Sequence, residues 1–131
     1  MIICVCGMIG AGKSEYSKKT KNVVSDFDDF GSKREQIEFT RDMEKKNNIV
    51  YHITCYPTNE ELLFFKDYNV KYIWINTTIN ECKKNIYQRG RKRDMENIDD
   101  VLSANKRILG KYIHSDINFQ IVNVFETNEK W

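Results

Sequence analysis

Two hydrophobic rhythms alternate along this chain: short unbroken apolar runs, and longer stretches with apolar residues spaced for one face of a helix. Ile2-Ile3-Cys4-Val5-Cys6 is continuously apolar, the pattern of a strand buried on both faces. It breaks at Gly7, and a helix is expected from Lys13 to about Thr20. Val23-Val24 opens a second short strand that ends in Ser25-Asp26-Phe27-Asp28-Asp29. Ile37, Phe39 and Met43 among charges predict a helix from Ser32 to about Lys46, and Ile49 to Tyr56 reads as a third strand. Thr58-Asn59-Glu60-Glu61 has the form of a capping box ahead of apolar Leu62-Leu63-Phe64-Phe65. Lys71 to Ile75, β-branched and aromatic, is a fourth strand. A helix starting near Thr78 carries Ile79, Cys82 and Ile86 on one face. Another runs from Ile98 to about Tyr112, its apolar repeat broken only at Asn105, and Phe119 to Phe125 closes the pattern as a fifth strand. Strands alternating with helices predict an α/β fold with a parallel sheet.

Composition narrows this picture without changing it. The 131 residues are 40% hydrophobic and 12% aromatic, enough for a real core and the size of one domain, 1–131. A net charge of +2 advertises no broad nucleic-acid or membrane surface. The longest apolar run, Met1 to Ala11, is too short to span a bilayer and lacks the basic start of a signal peptide. Four cysteines without such a signal predict reduced thiols and a cytoplasmic location.

The chemistry begins at the first strand-to-helix junction. Gly7-Met8-Ile9-Gly10-Ala11-Gly12-Lys13-Ser14 fits G-x-x-x-x-G-K-[ST] without a mismatch, with a buried strand before it and a helix after it. Ordinary residue frequencies give such an octet in roughly half a percent of chains this long, and the flanking elements lower that further. Gly7, Gly10 and Gly12 let the backbone turn its amides, that of Ala11 included, against phosphate oxygens, and the helix start adds partial positive charge. Lys13 can reach the β- and γ-phosphates of ATP, and the Ser14 hydroxyl can ligate Mg²⁺. The structural alternative is a Gly-rich turn that binds nothing.

Asp26, Asp28 and Asp29 follow the second strand, at the sheet end where α/β proteins bind ligands. A carboxylate there can accept a proton from an attacking hydroxyl or hold Mg²⁺, directly or through water. The plainer alternative is an acidic loop that caps the next helix. Farther on, Lys83, Lys84, Arg89, Arg91, Lys92 and Arg93 are uninterrupted by acid, and Arg89-Gly90-Arg91-Lys92-Arg93 lies between two helices. A flexible basic lid over residues 89–97, able to close on a γ-phosphate, suits this segment; a solvated helix end is the alternative.

Together, GMIGAGKS, then SDFDDF, then a basic segment resemble the kinase domain of polynucleotide 5′-kinases and the wider group of small P-loop nucleoside and nucleotide kinases. The Arg-Gly-basic stretch followed by Ile98-x-x-Val101-Leu102 is similar to their lid and the helix after it. The resemblance implies a P-loop NTPase three-layer sandwich with a five-stranded, mostly parallel sheet in the order 2-3-1-4-5. It maps the family's Asp-Asp-aromatic triplet onto Asp28-Asp29-Phe30, which makes Asp28 the catalytic base and, with Ser14, a metal residue. Lys13, Arg89 and Arg93 would act on the transferred phosphoryl group, with Arg89 and Arg91 also on the nucleotide. Where the family places Arg after the triplet, this chain has Gly31, and its first Arg is Arg34.

The expected activity is ATP-dependent transfer of a phosphoryl group to a nucleoside or nucleotide, with a nucleic-acid 5′-hydroxyl end as the alternative acceptor. A non-catalytic ATP-binding regulatory protein is the reading from another class. Other signals read as structural. The cysteines are expected as small buried hydrophobes rather than zinc ligands, His52 as a core or edge histidine and His114 as a loop residue. Phe27, Phe30 and Tyr56 either pack the core or stack on a base. The third strand ends without an acid, leaving the outer contacts of Mg²⁺ to Asp26, Asp28 or water.

Overall fold

The computed structural model describes residues 1–46 and 48–125. Its centre is β1 (Ile2–Cys6), every residue of which is buried. A strand with apolar side chains on both faces belongs between other strands, and β1 pairs in parallel with β3 (Val50–Ile53) and with β4 (Val70–Ile75). β2 (Val23–Asp26) pairs with β3, and β5 (Phe119–Val122) with β4, both in parallel. The sheet order is therefore β2-β3-β1-β4-β5, as the sequence predicts, with every pairing parallel. The connections are α1 (Lys13–Lys18), α2 (Lys33–Lys45), α3 (Asn59–Phe65), α4 (Ile79–Arg89), α5 (Lys92–Glu96) and α6 (Ile98–Ile113). These helices lie on both sides of the sheet and bury its apolar faces; one layer closes where Trp74 of β4 stacks on Tyr112 of α6, centroids 3.9 Å apart.

Several boundaries differ from the sequence expectation. β2 extends to Asp26, which brings that carboxylate onto the sheet, and Phe27–Asp29 forms a single 3₁₀ turn after it. β3 is shorter than Ile49–Tyr56, although the Thr54 amide still donates to Val5 and the Gly7 amide to Cys55, each at 3.0 Å. β5 stops at Val122 rather than Phe125. The segment expected as a lid is not an open loop: Gly90, at φ +57, ends α4, and the five-residue helix α5 follows. Asp94 of α5 is 4% exposed, with one carboxylate oxygen 3.5 Å from Arg93 Nε.

The packing between β2, β3, α2 and α3 is polar. His52, fully buried, lies between the Thr40 hydroxyl at 2.7 Å from Nδ1 and the Glu61 carboxylate at Nε2. Glu61 also accepts from Lys33 at 3.3 Å, from the Thr54 hydroxyl, and from the Thr58 amide that completes the predicted capping box. Gln36 donates to the carbonyls of Ser25 and Ile53. Burial favours neutral forms for both members of the pair and lowers the His52 pKa below its ordinary value. For Glu61 the bonds from His52, Lys33 and Thr58 outweigh desolvation and hold the carboxyl down at about 2. Lys33, with its ammonium 4.8 Å from the centroid of the Phe27 ring, ties this interior to the acidic turn.

Candidate active site

The P-loop begins where β1 ends. Gly10 is required there twice over, because its φ is +85 and a Cβ would sit 2.7 Å from the Cys82 carbonyl oxygen of α4. Gly12, at φ +98, occupies the position before α1. Among the described residues, the amides of Gly10, Gly12, Lys13 and Ser14 have no recorded hydrogen-bond partner, whereas the Ala11 amide donates to Met8 at 3.0 Å. A row of free amides at a helix start is a receptor for phosphate oxygens. The Lys13 ammonium folds back over the loop onto the carbonyls of Gly7 and Met8, at 2.7 and 2.8 Å, and lies 3.5 Å from Cys55 Sγ.

A chain of contacts leads from the loop to the lid. The Ser14 hydroxyl donates to Asp26 Oδ2 at 2.8 Å, and Asp26 Oδ1 accepts from the Asp28 amide at 3.1 Å. The Asp28 carboxylate, half-exposed, receives Arg91 on one oxygen and Arg93 on the other, each at 3.5 Å. Arg89 ends α4 beside this group, and partial desolvation together with the like charge of Arg91 lowers its pKa. A hydroxyl hydrogen-bonded to a carboxylate suits a small hard cation that takes its remaining oxygens from phosphate and water. No group of three or more His, Cys, Asp or Glu among the described residues offers another kind of metal site.

The sequence-selected residues thus fall into two sets. Gly7, Gly10, Ala11, Gly12, Lys13, Ser14 and Asp26 form one, and Asp28 with Arg91 and Arg93 the other, joined by the short link from Asp26 to Asp28. Arg34 stands apart, 82% exposed and paired with Glu38. Phe30 packs on Phe39, and the Tyr56 hydroxyl bonds Ser115, so neither is a loose ring; Phe27 is 41% exposed. Cys4, Cys6 and Cys82 are buried, and burial pushes the Cys82 thiol up to about 12 and raises that of Cys4. Cys55 differs, half-buried next to Lys13. Sequence reasoning missed three side chains that hold the loop from behind: Asn105, Asn85 and Thr77. Only Asn105 left a trace, as the polar break in the apolar repeat of α6.

This fold is the P-loop kinase fold. Over its whole length the chain superposes on 90% of a shikimate kinase from Bacteroides thetaiotaomicron, with TM-score 0.57 and 18% identity. A deoxyadenosine kinase from M. mycoides with bound dATP matches at TM-score 0.52 and 15% identity, covering 94% of this chain and 91% of that one. The YorR protein of Bacillus subtilis, in complex with phosphorylated GDP, matches at TM-score 0.52 and 16% identity over 94% of this chain and 85% of its own. The sequence matches no protein-family model, and no curated protein matches it. Among the described residues, no helix is long and apolar enough to cross a membrane.

Proposed function

We propose that the protein is an ATP-dependent phosphotransferase acting on a hydroxyl or phosphate of a nucleoside or nucleotide. The single observation that carries this reading is the continuous path from the P-loop through Ser14 and Asp26 to Asp28 and the lid arginines. Fold likeness to a deoxyadenosine kinase bound to dATP and to the YorR protein, bound to phosphorylated GDP, supports the class of substrate. When bound, Mg²⁺-ATP supplies the transferable phosphoryl group and neutralises charge on it; Ser14 would hold the metal with Asp26 behind it, which leaves Asp28, expected from the sequence as a second metal residue, to the proton.

The chain's own residues then divide the work. The free amides of Gly10, Gly12, Lys13 and Ser14 bind phosphate oxygens, and Lys13 exchanges the carbonyls of Gly7 and Met8 for the β- and γ-phosphates. Asp28 accepts the proton of the acceptor hydroxyl as its oxygen bonds to the γ-phosphorus and the bond to the β–γ bridging oxygen breaks. Arg91 and Arg93 leave the carboxylate for phosphate oxygens, which frees Asp28 as the acid-base group just as charge arrives for the arginines. Arg89 faces the same phosphates from the end of α4. In this reading all of these residues belong to a single domain with a lid over residues 89–97.

Incubation with γ-labelled ATP and a panel of nucleosides, monophosphates and 5′-hydroxyl oligonucleotides tests this. Label on a nucleoside or monophosphate is expected. Label on oligonucleotides alone would make the protein a polynucleotide 5′-kinase, the finer family resemblance of its sequence. Tight ATP binding without any transfer would leave a nucleotide-binding regulator.

A further inference from the structure

Three consecutive carbonyls of the P-loop are each taken by a side chain from another part of the fold. Ile9 is gripped on both sides: its amide donates to Asn105 Oδ1 at 2.7 Å and its carbonyl accepts from Asn105 Nδ2 at 2.9 Å. The Gly10 carbonyl accepts from Asn85 Nδ2 at 2.9 Å, and the Ala11 carbonyl from the Thr77 hydroxyl at 2.7 Å. Asn105 is fully buried on the face of α6 that carries Ile108, Leu109 and Tyr112 against the core. An amide side chain on such a face is unfavourable unless both its donor and its acceptor are satisfied, and here the carbonyl and amide of one residue, Ile9, satisfy them.

The consequence lies on the opposite side of each peptide. With the carbonyls of Ile9, Gly10 and Ala11 held by Asn105 of α6, Asn85 of α4 and Thr77 just before α4, the loop cannot fold its carbonyls back onto the amides of Lys13 and Ser14 as a continuing helix would. Among the described residues those amides have no partner, so they stand oriented before any ligand arrives. Preorganised donors cost no rearrangement when charge reaches them. The same contacts also set the lid. Asn85 and Asn105 stand on the two helices, α4 and α6, between which the lid is strung. Arg89 lies one helical turn beyond Asn85, on the same face, so anchoring Asn85 on Gly10 fixes where that arginine leaves α4.

We propose that Asn105, with Asn85 and Thr77 as its partners, is a positioning residue for phosphate binding: it holds the P-loop peptides so that their amides face the phosphate chain. The inference rests on the phosphate-binding reading of the loop, but not on the identity of the acceptor. Its test uses inorganic tripolyphosphate, which needs no base or sugar contacts, measured by calorimetry on the full chain. The substitution Asn105→Leu keeps the size of the side chain and removes both bonds to Ile9. Tripolyphosphate affinity is expected to fall about tenfold or more, and KM for ATP to rise in step while KM for the acceptor stays within about twofold. Asn105→Asp keeps an acceptor for the Ile9 amide while opposing its carbonyl, and should also weaken tripolyphosphate.

Asn85→Ala, at a half-buried position, provides the second variant should Asn105→Leu not fold, and it is expected to lose about threefold or more. A folded variant at either position with tripolyphosphate affinity equal to the unaltered protein would overturn the proposal. Equal rises in both KM values would do the same, since they signal general loosening. If the unaltered protein itself fails to bind tripolyphosphate, the phosphate-loop reading falls, and the positioning role falls with it.

Discussion

The floor of the site and its lid are built from opposite materials. The floor is a backbone loop whose peptides are pinned by Asn105, Asn85 and Thr77, the first of these fully buried. The lid is held by arginine–carboxylate contacts at 3.5 Å between side chains that are 46, 65 and 43% exposed. Buried, well-aligned bonds leave a large penalty if broken, whereas exposed ion pairs contribute little and exchange readily with solvent or ligand. The difference suits a site that must present its amides before the nucleotide arrives yet release Asp28 when it does. Under the proposed function, stiffness lies where phosphate would be recognised, and weak charge pairing where a segment would have to move.

The sharpest way to break this division is at Lys13, which belongs to the floor but is held there by the carbonyls of Gly7 and Met8 and the Cys55 sulfur, contacts it can leave. Lys13→Ala should lower phosphoryl transfer to below about a thousandth of the unaltered rate, with the melting temperature nearly unchanged. Turnover that survives in the folded variant would remove the P-loop chemistry altogether. Asp28→Asn comes next: kcat should fall on the order of 10²–10⁴-fold while ATP still binds. Because the same change weakens the seat of Arg91 and Arg93, hydrogen exchange in residues 89–97 should quicken in the absence of nucleotide. If Asp26→Asn is the damaging change and Asp28→Asn is silent, the base has been placed on the wrong carboxylate.

Acid should loosen the interior beside the acidic turn before it loosens the P-loop. His52 has a folded pKa below its ordinary 6.5, so the unfolded chain binds the proton first and stability falls as pH drops below that value. Glu61, about 2 when folded against 4.5 for the free group, adds a loss between those two pH values. Both effects have the same sign. Glu61→Gln should flatten the stability profile between pH 4.5 and about 2, as followed by thermal melts across that range. The smallest effect on stability is expected from Arg91→Ala combined with Arg93→Ala, less than about 1 kcal/mol by urea unfolding, although transfer itself should drop.

Legibility in the sequence followed the distance over which each interaction acts. The P-loop is contiguous, so Gly7 through Ser14 announce both its shape and its charge. The central place of β1 was equally plain, because Ile2–Cys6 has no polar face to show to water. Asn105 was visible only as a blemish in a helical stripe, since its partner, Ile9, lies 96 positions away. Glu61 looked complete as a capping residue, and nothing local reveals that its second oxygen serves His52 and Lys33. α5 was hidden for a different reason. Arg91, Lys92 and Arg93 carry no apolar rhythm, and nothing in their local pattern announces a helix of only five residues.

Single-turnover transfer from γ-labelled ATP, measured on the unaltered protein, Lys13→Ala and Asp28→Asn at saturating ATP, bears most directly on the central assignment. Label should pass to a nucleoside or nucleotide in the unaltered protein, vanish with Lys13→Ala, and slow on the order of 10²–10⁴-fold with Asp28→Asn despite full ATP occupancy. Full occupancy of the unaltered protein with no label reaching any acceptor would contradict it.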